Sequence, residues 1–120
     1  MAQHNSEREW TLTHNPAVTV LATVTKAAIP QGRHYITGIF ASISGAAAAS
    51  GVELLTLTDG STVRFGAGLN AAINDTVVVQ MTGLNWEMDR NSAAVLAFAA
   101  GGAAGSIEAV TLMGYTMNTG

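Results

Sequence analysis

Apolar and polar positions alternate along most of this chain, but the alternation rarely separates a dry face from a wet one. Residues 107–117 show it best. Ile107, Ala109, Thr111, Met113, Tyr115 and Met117 fall on one side, and Glu108, Val110, Leu112, Gly114 and Thr116 on the other. A period of two marks a strand. A solvated sheet reads apolar on one face and polar on the other, and here neither side is properly polar. Such a strand is central to a sandwich, or it meets another chain. A second apolar strand, residues 93–100, precedes it across the soft loop Gly101-Gly102-Ala103-Ala104-Gly105.

The same period recurs upstream. Residues 17–26 (AVTVLATVTK) place Val18, Val20, Ala22 and Val24 opposite Thr19, Leu21, Thr23 and Thr25, a Val/Thr density that favours strand. Ile29-Pro30-Gln31-Gly32 reads as a turn, and Pro second with Gly fourth is compatible with type I. The strand 33–44 follows, with Tyr35, Thr37, Ile39, Ala41 and Ile43 on one face and Ile36, Gly38 and Phe40 on the other. Residues 45–51 (GAAAASG) read as a loop or one helical turn, because the alanine run is too short to nucleate a helix. Asp59-Gly60 between the strands 52–58 and 62–66 is the strongest hairpin signal. Residues 66–74 read as a loop, 75–82 as a strand, and 84–88, centred on Trp86, as a short strand.

This tally predicts an all-β fold. About eight strands form an antiparallel sandwich of jelly-roll or Greek-key type, with no convincing helix. Residues 16–120 form the one sandwich domain. Residues 1–15 form an extended N-terminal arm, polar but for Trp10. The arm is either a frayed tail or a segment anchored through Trp10 on a neighbouring subunit.

Composition narrows the partners. Charged residues are 11% of the 120, against roughly 25% in typical soluble domains. Such a surface is poorly protected against association, so partners are expected to cover much of it. The net charge is −3 and the five basic residues are scattered, which argues against nucleic acid as a partner. Without cysteine there is no disulfide or thiolate site. The start of the chain lacks an apolar signal region, and no run approaches the roughly 18–20 apolar residues of a membrane span. The expectation is a soluble protein made in a cytoplasm, with no membrane partner.

No motif carries chemistry. His4, His14 and His34 are dispersed, and the Pro30–Gly32 turn before His34 resembles the metal-binding cupins superficially. The second cupin motif would need another residue before the histidine and an Asn where Gly38 stands, and the first motif is absent. Metal ligands, cofactors and catalysis are therefore not expected, and His34 reads as a polar residue at a strand edge. Asp75, Glu87 and Asp89 could serve hydrolysis or bind Ca²⁺, but they read as a solvated strand end balanced by Arg90. There is no Gly-x-Ser-x-Gly elbow, and Gly66-Ala67-Gly68 lacks the rest of a phosphate loop. Trp86, with Met88 beside it, fits a core position or an interface anchor.

Three stretches carry a resemblance: residues 29–38 (IPQGRHYITG), 52–60 (VELLTLTDG) and 108–115 (EAVTLMGY). Across residues 17–117 their Pro-x-Gly turn, Asp-Gly hairpin and closing Gly-Tyr strand resemble the small jelly-roll decoration, or cement, proteins of tailed bacteriophage capsids. The resemblance implies a non-enzymatic homotrimer on the outer surface of the virion. It would clamp neighbouring major capsid proteins, with its arm reaching across them. Candidate capsid or oligomer contacts are Arg8, Trp10, His34, Trp86, Met88, Arg90, Met113 and Tyr115. The alternatives are another virion part (head-fibre base, tail accessory or host-attachment module) and a jelly-roll enzyme or sugar-binding domain.

Overall fold

The computed structural model describes residues 8–17, 20–45, 53–69, 75–99 and 106–118. Among them are nine strands: β1 (Arg8–His14), β2 (Thr23–Lys26), β3 (Gly32–Gly45), β4 (Glu53–Asp59), β5 (Thr62–Leu69), β6 (Asp75–Met81), β7 (Trp86–Arg90), β8 (Ala94–Phe98) and β9 (Ile107–Asn118). They form two antiparallel sheets. One runs β1-β9-β3-β6, with β7 beside β6 along β3, and the other runs β2-β8-β4-β5. This interleaving is the Greek-key order of a jelly roll. The apolar strands β8 and β9 belong to different sheets. The expected loops at 45–51 and 101–105 lie largely or wholly outside the described residues.

The two faces of β9 now separate. Val110, Leu112 and Gly114 point inward among the buried residues, while Ala109, Thr111, Met113 and Tyr115 point outward and are half-buried. The core joins Ile36, Ile39, Ala41, Leu55, Leu57, Leu96, Phe98 and Met88 to them. Glu108 shares the inner face and is fully buried. It accepts a hydrogen bond from the Ala22 N–H at 2.8 Å, and its Oε2 has no partner among the described residues. Burial pushes its carboxyl pKa up, the Ala22 N–H opposes this, and Glu53 adds to it.

Four sequence expectations need correction. First, a register shift between Ile36 and Gly38 inserts one residue into β3 opposite β9. Such a bulge reverses the alternation: His34 and Ile36 face inward before it, and Ile39, Ala41 and Ile43 after it. The face assigned to Tyr35 and Thr37 along with Ile39 does not exist. Second, β2 begins at Thr23 instead of residue 17. The amides up to its first residue bond elsewhere: Val20 N–H donates to the Ala17 carbonyl, Ala22 N–H to Glu108, and Thr23 N–H to His14 Nδ1. Third, Gln31 has φ 59° at the third position of the Pro30 turn. That is the mark of type II, not type I, and the Asn91 side chain holds the Gln31 N–H. Fourth, β5 continues to Leu69, which is buried in the core and not part of a loop.

The stretch expected as an arm also differs from residue 8 on. Arg8–His14 is an edge strand, paired with residues 110–116 of β9 in its own chain. Trp10 and Leu12 pack on the core, and Glu9, Thr11 and Thr13 are exposed. Trp10 closes this side of the sandwich against β2, with the Lys26 ammonium 5.5 Å from its ring centroid. Across the sandwich, Phe65 of β5 meets Trp86 of β7 at 5.8 Å between rings.

Candidate interaction surface

The outer face of the β1-β9-β3-β6 sheet follows from the registers. Thr13, Thr111, Phe40 and Gln80 form one cross-strand row, and Ala109, Ser42 and Val78 the next. Ile107, Ser44 and Thr76 form a third, and Thr11, Met113 and Gly38 lie above the first. None of these side chains is charged. Their hydroxyls also pair with one another: Thr13 with Thr111 and Ser44 with Thr76, each at 3.0 Å. Val78 is 50% exposed, and the methyl of Met113 covers Gly38 closely.

Charge gathers at one end of this face. Tyr35 and Tyr115 stack at 4.9 Å, nearly parallel at 8°. The Tyr115 hydroxyl donates to Asn85 Oδ1 at 3.0 Å, and the Tyr35 hydroxyl to Glu87 Oε2 at 3.4 Å. Arg33 also reaches Glu87, at 2.7 Å. Burial and the Glu87 carboxylate hold the Tyr35 phenol above its ordinary range. Glu9 stands on the other flank, opposite Tyr115.

The expected contact residues divide. Met113 and Tyr115 lie on the outer face and Arg90 is exposed at the end of β7. Arg8 begins β1 opposite Thr116. Trp86 is partly buried against the core and Phe65, and lines a shallow pocket of about 360 Å³ with Arg64 and Asn85. Trp10 is partly buried, and its indole N–H donates to Thr116 within the chain. His34 and Met88 are corrected outright: each is 1% exposed. A side chain inside its own core offers no surface to a partner. His34 lies on β3, which has neighbours on both sides, and is not at a strand edge.

The acidic trio also separates. Asp75 pairs with Gly45, at the far end of β3 from Glu87. Glu87 is balanced by Arg33 and Asp89 by Arg64, not by Arg90. Sequence reasoning missed Asp59, whose side chain is buried and which accepts from Arg64 at 2.8 Å and from the Asp89 N–H at 2.7 Å. Burial alone would raise its pKa. The Ser92 hydroxyl, the Asp89 N–H and Arg64 outweigh burial and hold it below the usual carboxylate range. Among the described residues no three His, Asp or Glu side chains gather as metal ligands, and no helix is long and apolar enough to cross a membrane.

No protein-family model matches the chain, and no curated protein matches it. Solved structures of similar outline include the capsid asymmetric unit of cyanophage Pam1, 16% identical over 92% of this chain and 83% of the other, with a TM-score of 0.46. The coat protein of tobacco streak virus is 9% identical over 94% and 89%, at 0.41. A CBM36-1 domain of a multidomain xylanase from the hindgut metagenome of Trinervitermes trinervoides is 7% identical over 91% and 95%, at 0.38. With TM-scores below 0.5, these likenesses decide nothing about function.

Proposed function

We propose that this protein is a non-enzymatic structural component of a virion: a cement protein that binds and stabilises a bacteriophage capsid from outside, as a homotrimer contacting the major capsid protein. The observation that carries the reading is the uncharged outer face of the β1-β9-β3-β6 sheet. One row crosses four strands and the other three rows cross three, thirteen positions in all. At about 4.8 Å between strands and about 6.6 Å along the strand per position they cover roughly 400 Å². That is about half of what one partner gives to a standard contact, roughly 800 Å². The face is too poor in charge for a solvated sheet and pairs four of its six hydroxyls within itself, so it suits contact with another protein.

Co-sedimentation tests this. The purified protein is mixed with undecorated phage shells and pelleted. Saturable binding at hundreds of copies per shell, lost in Met113→Asp, is expected. A protein that stays in the supernatant rejects the reading, and saturation at a few copies points to a fibre or tail part instead.

A further inference from the structure

Beneath the first strand, three side chains from three strands form one directed hydrogen-bond chain. His34 Nε2 lies 2.8 Å from the Ala27 carbonyl oxygen. A carbonyl can only accept, so Nε2 carries the proton. The bare Nδ1 of the neutral ring then accepts from the Thr116 hydroxyl at 2.7 Å. An indole N–H can only donate, and Trp10 Nε1 gives its proton to Thr116 Oγ at 2.9 Å. Every member has a fixed direction. His34 and Thr116 are buried, at 1% and 7% exposure, and the Trp10 ring meets the imidazole edge-on at 5.7 Å.

We infer that the Trp10–Thr116–His34 chain is an acid-sensitive latch, and that a proton on His34 releases β1 from β9. The imidazolium would present a second N–H at Nδ1, where the Thr116 proton already points. Thr116 Oγ would then have to accept from both rings, and its own hydrogen would lose its acceptor. The charged groups acting on the ring are Lys26 of β2, which opposes the imidazolium, and Asp59 of β4, which favours it. Burial is the largest influence and holds the ring's pKa below its ordinary 6.5. With the folded value depressed, the unfolded chain takes up protons first. The stabilisation is therefore complete above about pH 6.5 and is lost as the pH falls below it.

β1 yields before β3 because of their places in the sheet. β3 has neighbours on both sides, whereas β1 is an edge strand paired with β9 alone. Trp10 is its largest buried anchor, and the latch fixes that ring. Release would uncover the edge of β9 at residues 110–116, an open ladder able to take a strand from another chain.

Hydrogen exchange from pH 8 down to 4.5, corrected for the intrinsic rate, tests the latch. Protection of the Arg8–His14 amides, and of those among residues 110–116 that bond β1, should fall at least tenfold, while β4 and β8 keep theirs. His34→Gln keeps a donor for Ala27 and an acceptor for Thr116 but cannot titrate, and it should abolish the pH step. A step that persists in His34→Gln, unchanged protection of β1, or simultaneous loss in all strands would overturn the inference. If His34→Gln does not fold, NMR of the unmodified protein decides. The Trp10 indole N–H resonance must shift with the His34 titration, and independence of the two sinks the latch.

Discussion

Adjacent residues of β9 should respond in opposite ways to the same substitution. Leu112 is 0% exposed in the core, and Thr111 lies on the outer face. Leu112→Asp forfeits about 1.5–3 kcal/mol of side-chain burial. It also sets a carboxylate in the interior, at an effective cost of several kcal/mol. A chain of 120 residues has a total stability of roughly 6–18 kcal/mol, from about 0.05–0.15 per residue. The substitution therefore removes much or all of it. Thr111→Asp breaks the bond to the Thr13 hydroxyl and otherwise meets water, for a loss of about 0.5–1 kcal/mol in the free chain. In the proposed assembly that carboxylate would be buried against a partner, and an uncompensated buried charge costs about 3–5 kcal/mol. At about 1.4 kcal/mol per decade, the contact would weaken by roughly two to four orders of magnitude. Circular dichroism melts and light-scattering mass, measured together, separate the two effects. Leu112→Asp should lose its cooperative melt. Thr111→Asp should melt within a few degrees of the parent but leave the oligomer or the shell. A folded Leu112→Asp, or a Thr111→Asp that keeps its native mass and its shell binding, would refute the assignment of faces.

Arg64→Ala leaves the buried Asp59 carboxylate without its main cation and should cost about 1–3 kcal/mol in chemical denaturation at pH 7. Asp59 has a depressed folded pKa, so its stabilisation is present above the ordinary 3.8 and lost as the pH falls below it. An Asp59→Asn variant should flatten that acid limb of the melting-temperature profile. The opposite sign holds at Glu108, whose raised folded pKa makes its stabilisation complete below about 4.5 and lost as the pH rises. Glu108→Gln keeps the acceptor for Ala22, and should raise the melting temperature at pH 7 while changing it little at pH 4. Gly114→Ala would drive a Cβ into the Tyr35 carbonyl oxygen and to 2.8 Å from Trp10 Cζ2. Because backbone cannot swing aside, it should cost about 1–3 kcal/mol and loosen β1 first, visible as faster exchange at residues 8–14.

Strand positions were legible because period-two alternation survives even where both faces are apolar. Which face is core was not. In β9 the inward side carries Glu108 and Thr116 while the outward side carries Met113 and Tyr115, so polarity points the wrong way at both ends. In β3 the bulge after Ile36 reverses the count, and no residue there announces it beyond Gly38. β1 did carry a signal: Trp10 and Leu12 alternate with Glu9, Thr11 and Thr13. The polar residues around them outweighed it. His34 looked like an edge residue because histidine is usually wet, and only the three-dimensional meeting of Trp10, Thr116 and Ala27 supplies its partners. The Asp59–Arg64–Asp89 cluster was hidden for the same reason, since its members are brought together by the β4–β5 hairpin and by β7.

The rupture temperature of undecorated phage shells, with and without the purified protein, tests the cement function most directly. A ligand that binds only the intact shell stabilises it by RT ln(1 + [L]/Kd) at each site. The midpoint should therefore rise with protein concentration, keep climbing with its logarithm above the dissociation constant, and stay put with Thr111→Asp. A midpoint that saturating protein does not move would contradict it.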